Sequence, residues 1–254
     1  MATAADHYES LLAEHYTWML GGDIEEAAAA QADLFRELGL AVPAREGAAA
    51  VDLGCGPGPQ TLALASLGFA SVTAVDTSAR LLEELTELAT RSGHTQAVRT
   101  VRQDIRGALP RLASPGSLAA VACMGDTLPH LPGSRDVQVL ITDVAKALRP
   151  GGSFVATYRD LTHELHGPQR FIPVRSTGDR ILTCFLDYQD KDTVLVHDLV
   201  HTRHVDGWEL RTSSYPKLRL SPQWLTDQCR AAGLDVRRHA AGPRGMYVLH
   251  AVKQ

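Results

Sequence analysis

The hydrophobic pattern changes twice along the chain, and each change marks a different kind of structure. In the first segment, apolar residues such as Leu12, Tyr16 and Met19 recur at helical spacing, which predicts a helix over residues 8–20. Residues 23–39 show a second helical run after the Gly-Gly break that ends the first. The chain therefore begins with predicted helices that precede any strand.

The second segment alternates short apolar runs with amphipathic runs. The apolar runs predict five strands, at Ala48–Leu53, Ser71–Val75, Ala97–Arg102, Leu118–Met124 and Ser153–Tyr158. The amphipathic runs predict helices at Pro59–Leu67, Ser78–Thr90 and Arg135–Leu148. Strands that alternate with helices of this length favour βαβ units with right-handed crossovers, and hence a mostly parallel sheet.

The third segment is dominated by strand-like runs separated by short turns. The runs cover Phe171–Ser176, Arg180–Tyr188, Thr193–Val205 and Trp208–Leu220. Neighbouring strands with such short connections predict an antiparallel sheet. The chain then closes with a helix over residues 221–232 and a strand pair at Asp235–Ala240 and Met246–Val252.

These patterns predict an α/β fold with a Rossmann-like, mostly parallel sheet, an N-terminal helical cap and an antiparallel β insert. The predicted units are the cap over residues 1–45, the first part of the core over 46–158, the insert over 159–220 and the end of the core over 221–254. A length of 254 residues leaves little room for a second independent core.

Composition and charge narrow the function classes. Hydrophobic residues make up 44% of the chain and charged residues 21%, as in an ordinary globular protein. A net charge of −4 argues against nonspecific nucleic-acid binding, and no apolar run approaches the roughly 18–20 residues of a membrane helix. The first residues lack the basic and apolar regions of a secretory signal. We expect a cytoplasmic protein without nucleic-acid or membrane partners, and the pattern leaves its oligomeric state open.

A glycine-rich loop lies between the first predicted strand and the helix that follows it. Its sequence is Val-Asp-Leu-Gly-Cys-Gly-Pro-Gly over residues 51–58. Glycines let a backbone turn sharply and approach a ligand, and the following helix start offers unpaired N–H groups. Asp76 ends the next strand 22 residues after Gly54, where doubly wound folds place the acid that binds ribose hydroxyls. The combination predicts a nucleoside-containing ligand.

With these motifs the chain resembles the class I S-adenosylmethionine-dependent methyltransferases. The resemblance spans about residues 48–158, through VDLGCGPG, AVDTS, QDI, VACMGD and LRPGGSF in the family's order. It implies a seven-stranded sheet whose last strand is antiparallel, with S-adenosyl-L-methionine as the cofactor. The predicted strand pair at the end of the chain fits that sheet.

The resemblance also implies a cofactor site, residue by residue. Gly54, Cys55 and Gly56 would line the methionine part, with Asp52 organising the loop and the ammonium end. Asp76 would take the ribose hydroxyls beside Thr77, Asp104 would accept from the adenine amino group with Ile105 against the ring, and Met124 would lie under the sulfonium. Purely structural roles remain open: Asp52 as a cap of the glycine turn, and Asp76 and Asp104 as helix caps.

The end of the fourth predicted strand resembles the glycine and sarcosine N-methyltransferase group more weakly. His130 and Leu131 match that group, whereas Asp126 and Thr127 replace its Asn and Ser. The resemblance implies His130 and Asp126 as catalytic candidates. It also implies substrate-binding roles for Tyr16, Arg159 and Tyr215, and a cofactor-covering role for Trp18. Packing of Tyr16 and Trp18, or a surface ion pair of Arg159, is an equally simple interpretation.

Metal and thiol chemistry are not predicted. His197 and His201 share one face of their strand while His204 faces the other, and no carboxylate or thiol completes a compact set. Cys55 is interpreted as a small filler of the loop, because methyl transfer needs no covalent enzyme intermediate. The four cysteines form no Cys-x-x-Cys pair that would indicate zinc or a disulfide framework.

The sequence thus predicts a methyltransferase that acts on a small-molecule metabolite, at nitrogen. O- or C-methylation of an aromatic or natural-product substrate is the alternative enzyme hypothesis. A non-catalytic regulator that binds the same cofactor is the alternative from another class. A basic groove would favour a nucleic-acid or protein substrate instead.

Overall fold

The N-terminal segment is not the continuous helix that its pattern predicts. The computed structural model describes residues 3–40 and 47–254, so the predicted unit boundary at residues 45–46 lies outside the described residues. The segment folds as α1 (Ala4–Ser10), a 3₁₀ turn (Leu12–Glu14), α2 (Tyr16–Leu20) and α3 (Ile24–Glu37). The prediction of one helix over residues 8–20 is therefore wrong, whereas α3 agrees with the second predicted helix.

A capping box and a buried leucine pair explain the break. The side chains of Thr3 and Asp6 cap each other's backbone N–H groups, so α1 begins at Ala4 rather than at residue 8. Leu11 leaves the helical conformation at φ −140° and ψ −58°. Leu11 and Leu12 then pack into one buried cluster with Leu182 and Val200 of the insert.

The central segment forms the predicted alternation of strands and helices. Its strands are β1 (Ala49–Leu53), β2 (Ser71–Asp76), β3 (Val98–Arg102), β4 (Leu118–Cys123) and β5 (Leu148–Tyr158). Its helices are α4 (Pro59–Ser66), α5 (Ala79–Arg91), the short unpredicted α6 (Leu109–Leu112) and α7 (Ser134–Ala147). After the insert, α8 (Pro222–Ala231), β10 (Leu234–Ala241) and β11 (Tyr247–Lys253) complete the core.

Seven of the described strands form one sheet in the order β10-β11-β5-β4-β1-β2-β3. Strands β1 to β5 pair in parallel, and β11 runs antiparallel between β5 and β10. This confirms the predicted Rossmann-like, mostly parallel sheet. Helices α3, α4 and α5 pack on one face of the sheet, and α6, α7 and α8 pack on the other.

Strand β5 begins earlier than predicted. Residues 150–152 are Pro-Gly-Gly, which is typical of a turn, and the pattern predicts the strand only from Ser153, yet the strand runs from Leu148. Its pairing with β4 jumps from Leu148 opposite Leu118 to Ser153 opposite Ala120. The extra residues bulge out of the ladder around Gly151, whose φ of 75° suits a glycine. The turn residues are thus absorbed as an irregularity within one long strand.

The insert is a separate four-stranded antiparallel sheet, as predicted. Its strands β6 (Phe171–Ser176), β7 (Arg180–Tyr188), β8 (Thr193–His204) and β9 (Gly207–Leu218) are arranged in chain order. One face packs on the N-terminal helices, where Leu182 and Val200 join Leu11 and Leu12 in a buried cluster. No helix among the described residues is long and apolar enough to cross a membrane.

Candidate active site

A cavity of about 210 Å³ lies at the carboxyl ends of the parallel strands, under α1. Open α/β sheets bind ligands at this edge, where the strand order reverses around β1. The walls come from the loop after β1, the ends of β2 and β3, the loop after β4 and the helix α1. The site is therefore assembled from segments that are distant in sequence.

The glycine loop after β1 forms the floor of the cavity. Gly54 and Gly56 line the cavity, and both have positive φ values, 72° and 54°. A Cβ atom on Gly54 would lie 2.5 Å from the Cγ2 atom of Thr127, too close for any side chain. The Gly54 N–H donates to the carbonyl of Val75 at 2.8 Å, which ties the loop to β2. The loop thus presents bare backbone to the cavity.

Asp76 lies beside this loop, at the end of β2. Its two carboxylate oxygens accept hydrogen bonds at 2.9 Å from the backbone N–H groups of Gly56 and Ser78. Burial raises the pKa of Asp76, although these hydrogen bonds oppose the shift. Each carboxylate oxygen can accept more than one hydrogen bond, so both keep a lone pair for a ligand. Asp76 therefore holds the glycine loop and the N-cap residue Ser78 of α5 while keeping acceptor capacity at the cavity.

The far end of the cavity is formed by Asp104, Ile105 and Arg106. The Asp104 carboxylate accepts from the Arg106 side chain at 2.6 and 2.9 Å and from its backbone N–H at 2.8 Å. Partial burial would raise the pKa of Asp104, but its hydrogen bonds to Arg106 outweigh this and lower it. Asp104 is therefore an ionised acceptor at the rim, with Ile105 as the apolar surface beside it.

Three of the predicted cofactor residues lie behind the cavity surface. Asp52 is buried and accepts a hydrogen bond from the Thr61 hydroxyl at 2.6 Å, and burial raises its pKa to about 7. Cys55 is buried as well, and burial raises the pKa of its thiol well above the ordinary value. Met124 packs in the core between Ala122 and Val155. These side chains support the glycine loop and β4 rather than line the cavity.

The end of the cavity next to the glycine loop is aromatic. Tyr8 of α1, Tyr16 of α2 and His130 line it, with ring centroids 5.5 Å apart for the two tyrosines and 5.7 Å apart for Tyr8 and His130. Burial raises the pKa of Tyr16 to about 12. Both phenols therefore stay protonated at neutral pH and can donate hydrogen bonds.

His130 is an uncharged imidazole in the folded protein. Burial lowers its pKa to about 3, and the positive charge of Lys217 acts in the same direction. Its Nε2 atom is buried and has no hydrogen-bond partner among the described residues. A neutral imidazole has one nitrogen that accepts a hydrogen bond and one that donates. His130 thus lines the cavity as a ring that carries no charge.

Asp126 does not face the cavity as a free carboxylate. Its Oδ2 atom is 2.6 Å from the Lys217 Nζ atom, and its Oδ1 atom accepts from the Arg159 backbone N–H at 2.9 Å. Burial would raise the pKa of Asp126, but the Lys217 charge and the hydrogen bonds from Lys217 and the Arg159 backbone together lower it. The carboxylate is therefore ionised and engaged. The Arg159 side chain is 43% exposed, with Nε 4.0 Å from Asp126.

Two further predicted residues contact other parts of the cap and the insert. Tyr215 is buried and stacks on the ring of His7 at 4.2 Å, with its edge towards His130 at 5.3 Å. Trp18 lies beneath the guanidinium groups of Arg180 and Arg175, at 5.1 and 5.6 Å from their central carbons. The structure thus places Thr77 and Tyr16 on the cavity, and Tyr215 and Trp18 behind its wall.

Sequence reasoning did not single out four residues around the cavity, which are Tyr8, His7, Asp198 and Lys217. His7 Nε2 lies 2.8 Å from the buried Asp198 carboxylate of β8, and the Cys184 thiol donates to the same carboxylate at 2.7 Å. The Thr-x-x-Asp capping spacing at residues 3–6 was the one signal that could have started α1 early and brought Tyr8 inward. Among the described residues no cluster of three or more possible metal ligands is found.

The chain is similar to methyltransferases both in sequence over part of its length and in fold. Residues 50–152 match a family model described as a methyltransferase domain. The fold is similar to the CcbJ methyltransferase from Streptomyces caelestis, with a TM-score of 0.71, 22% identity, and coverage of 88% of this chain and 94% of that one. No curated protein matches the chain.

Two other solved structures share the fold over almost their whole length. One is CalS10 from Micromonospora echinaspora, an amino pentose methyltransferase with bound S-adenosylmethionine, at a TM-score of 0.68 and 18% identity over 95% of this chain and 96% of that one. The other is the sugar N-methyltransferase KedS8 from Streptoalloteichus sp. Its TM-score is 0.67 and its sequence identity is 16%, over 97% of this chain and 92% of that one. At these identities the likeness establishes the fold.

The position of Asp76 leads to a first prediction. Asp76→Ala removes the acceptor edge and the two backbone anchors, so the affinity for S-adenosylhomocysteine should fall by roughly 1.5–3 kcal/mol, the scale of hydrogen bonds to a charged group. Asp76→Asn keeps one acceptor oxygen and should lose less. Isothermal titration calorimetry measures both, with circular dichroism as the control for folding. Unchanged affinity in Asp76→Ala would contradict the assignment.

The buried imidazole leads to a second prediction, on stability. The His130 pKa falls from 6.5 to about 3 on folding, so below pH 6.5 the unfolded chain binds a proton that the folded chain does not. The contribution of His130 to the free energy of unfolding is therefore complete above pH 6.5 and is lost as the pH falls. The loss between pH 7 and pH 5 should be about 2 kcal/mol.

Urea unfolding at pH 5, 6 and 7 tests this loss. His130→Asn, which does not titrate in this range, should show a correspondingly smaller decrease in the free energy of unfolding. His163→Asn is the matched control, since His163 is exposed in a loop. The same pH dependence in wild type and His130→Asn would show that the imidazole is charged in the fold.

Proposed function

We propose that the chain, whose residues 50–152 match the methyltransferase domain model, is a class I S-adenosylmethionine-dependent methyltransferase that methylates a nitrogen atom of a small-molecule metabolite. The observation that carries the proposal is the aromatic end of the cavity, where uncharged His130 faces the space next to the glycine loop. The roof formed by α1 covers the cavity, which suits a small acceptor better than a macromolecule.

The residues of the cavity fit the cofactor. Gly54 and Gly56 give backbone access that a Cβ atom would block, and Asp76 keeps free lone pairs for two adjacent hydroxyls. Ile105 offers an apolar surface and Asp104 an ionised acceptor at the far rim. S-adenosyl-L-methionine supplies an electrophilic methyl group on a sulfonium, which is already a good leaving group. The protein therefore contributes mainly orientation and exclusion of water.

The protonation states favour an amine acceptor. A neutral amine attacks with its own lone pair, whereas a hydroxyl group gains from a base that removes its proton. Neither residue at the aromatic end supplies a strong base, because His130 has a low pKa and Asp126 is engaged by Lys217. His130 can instead accept a hydrogen bond from the amine N–H and direct the lone pair towards the methyl group. Tyr16 can donate a hydrogen bond to another group of the acceptor.

The solved relatives give the choice of acceptor class some support. Two of them carry the names amino pentose methyltransferase and sugar N-methyltransferase. An amine on a small polar metabolite, with amino sugars as the first group to test, fits both these names and the uncharged aromatic wall. A glycine or sarcosine substrate would need Arg159 to bind its carboxylate. The Arg159 side chain is 43% exposed, lies with Nε 4.0 Å from the Asp126 carboxylate and does not line the cavity.

Methyl transfer to a panel of acceptors tests the proposal. S-adenosylmethionine with a labelled methyl group is incubated with amino sugars, glycine, sarcosine, simple amines, phenols, a nucleic acid and a protein mixture. Mass spectrometry and NMR identify the methylated atom, and we expect N-methylated small molecules. Transfer only to oxygen or carbon would favour the alternative enzyme hypothesis. Tight cofactor binding without turnover on any acceptor would favour a regulator.

Substitution of His130 gives a third prediction, once an acceptor is known. His130→Ala should lower kcat by about 10- to 100-fold, because the acceptor loses its orienting hydrogen bond. His130→Asn keeps an acceptor oxygen and should lose less. The ratio of wild-type to variant kcat should stay constant between pH 6 and 8, since the imidazole pKa is about 3. A break in that ratio near pH 6.5 would show that His130 gains and loses a proton during turnover.

A further inference from the structure

The four-stranded insert is apolar on both of its faces. Side chains alternate between the two faces along each strand, and the face that carries Leu182 and Val200 packs on Leu11 and Leu12 of the N-terminal segment. The opposite face, here called the outer face, has its own large apolar residues, which are Phe171, Ile181, Phe185, Leu199, Trp208 and Leu210. An antiparallel sheet with one solvated face normally places polar residues there, so this pattern indicates a further covering layer.

The outer face is open to solvent in the single chain. Among the described residues seven large hydrophobic side chains are exposed, and four of them lie on this face. These four, Phe171, Ile181, Trp208 and Leu210, are between 37% and 53% exposed. Single exposed hydrophobic residues need no explanation, whereas their concentration on one flat face marks an interaction surface.

The outer face is large enough for a protein interface. Along β8 it extends from Leu195 to Arg203, about 27 Å at the rise of an antiparallel strand. Four strands about 4.8 Å apart make it about 19 Å wide, which gives roughly 500 Å² in projection. Side-chain relief and the flanking turns add to the accessible area. A stable interface takes about 800 Å² from each partner, so the face can supply most of what a dimer needs.

A second copy of the outer face is the partner that fits this surface. Flat apolar sheets cover each other face to face at a separation of about 10 Å, as in a β-sandwich. The same face of another copy has the same length, width and apolar character. Two identical faces can close on each other about a two-fold axis, which is the commonest arrangement of identical chains.

The side chains of the outer face also complement each other in such a pair. Cross-strand partners form rows on this face, and Thr183, Leu199 and Thr212 form the central row. Phe185 lies one row to one side of Thr183, and Ile181 lies one row to the other side. A two-fold axis that crosses the strands at the central row therefore places the Phe185 ring of one copy opposite Ile181 of the other.

The charges of the outer face favour the same axis. Asp187 pairs with Leu195 at one end of the face, and Arg203 pairs with Trp208 at the other end. An axis across the strands brings the Asp187 end of one copy over the Arg203 end of the other, so opposite charges approach. Asp187 contacts Arg170 at 3.5 Å, and a carboxylate can accept from a second guanidinium as well. An axis along the strands would set each end over its own equivalent.

We propose that the outer face is the dimer interface of this protein, formed by two insert sheets packed face to face about a two-fold axis that crosses the strands. The inner face packs on the N-terminal segment that roofs the cavity, so the outer face points away from the cavity. Dimerisation therefore leaves the entrance to the candidate active site free. The proposal depends on neither the cofactor nor the methylated acceptor.

Sedimentation velocity of the full chain without ligand tests the proposal. Over a range of about 1 to 100 µM the wild type should sediment with twice the mass of one chain, and dilution should shift it towards the monomer. In Ile181→Lys/Leu210→Lys four ammonium groups would have to enter the closed interface. Because like charges oppose each other there, the dissociation constant should rise by about 100-fold or more.

A matched variant controls for the added charge. Val139 of α7 is 46% exposed and lies outside the insert, so Val139→Lys should remain a dimer like the wild type. Ile181 and Leu210 are exposed in the single chain, so the double variant should fold, and circular dichroism checks this. A dimer that persists in a folded Ile181→Lys/Leu210→Lys variant would overturn the proposal and assign the association to another surface.

Trp208 reports on the interface directly. Its contribution to the fluorescence is obtained by difference from Trp208→Phe, and acrylamide quenching measures how exposed it is. We expect quenching of Trp208 to be weak at high protein concentration and to increase on dilution, in step with the loss of dimer. A wild type that is monomeric at about 100 µM, with Trp208 readily quenched, would overturn the proposal and leave the outer face to a different protein.

Discussion

The reversal of strand order at β1 is the constraint on which the site depends. Because β1 pairs in parallel with β2 on one side and β4 on the other, the connections that leave these strands diverge and open a crevice at their carboxyl ends. The glycine loop, Asp76 and the loop that carries Asp126 all begin at this edge. The Asp76 carboxylate accepts a hydrogen bond from the Gly56 N–H, so the end of β2 and the glycine loop after β1 are held together at this edge.

Closure of the crevice by α1 and the insert changes the chemistry of the groups that it covers. Burial removes water from His130, Tyr16 and Asp126, and the cost of burying charge is met by pairing each acid with a base or a donor. The result is a wall of uncharged rings with the charges held behind it. Such a wall suits a reaction in which a neutral nucleophile attacks a cationic methyl donor, because the protein has little proton transfer to perform.

The contacts of Asp126 explain why this carboxylate is a poor candidate for a catalytic base. In sequence, Asp126 and His130 are close together and suggest a catalytic pair. In the structure, Asp126 adopts a left-handed backbone at φ 75°, and its carboxylate turns to Lys217 and the Arg159 N–H. The residue thereby joins β9 of the insert to the loop after β4 of the core. Its charge influences His130 through space, together with the charge of Lys217.

Local pattern determined most of the core from the sequence alone. Period-two and helical spacing, with turn residues between them, specify β1 to β5 and the antiparallel insert. The glycine loop and Asp76 likewise point to one wall of the cavity. These signals act over a few neighbouring residues. Tertiary structure decided what depends on distant pairs. Leu11 and Leu12, at the break after the first helix, pack on β7 and β8, and the His7–Asp198 and Lys217–Asp126 contacts join residues 191 and 91 positions apart. Such partners leave no periodic trace in the chain, so the protonation state of the cavity wall is a property of the folded protein.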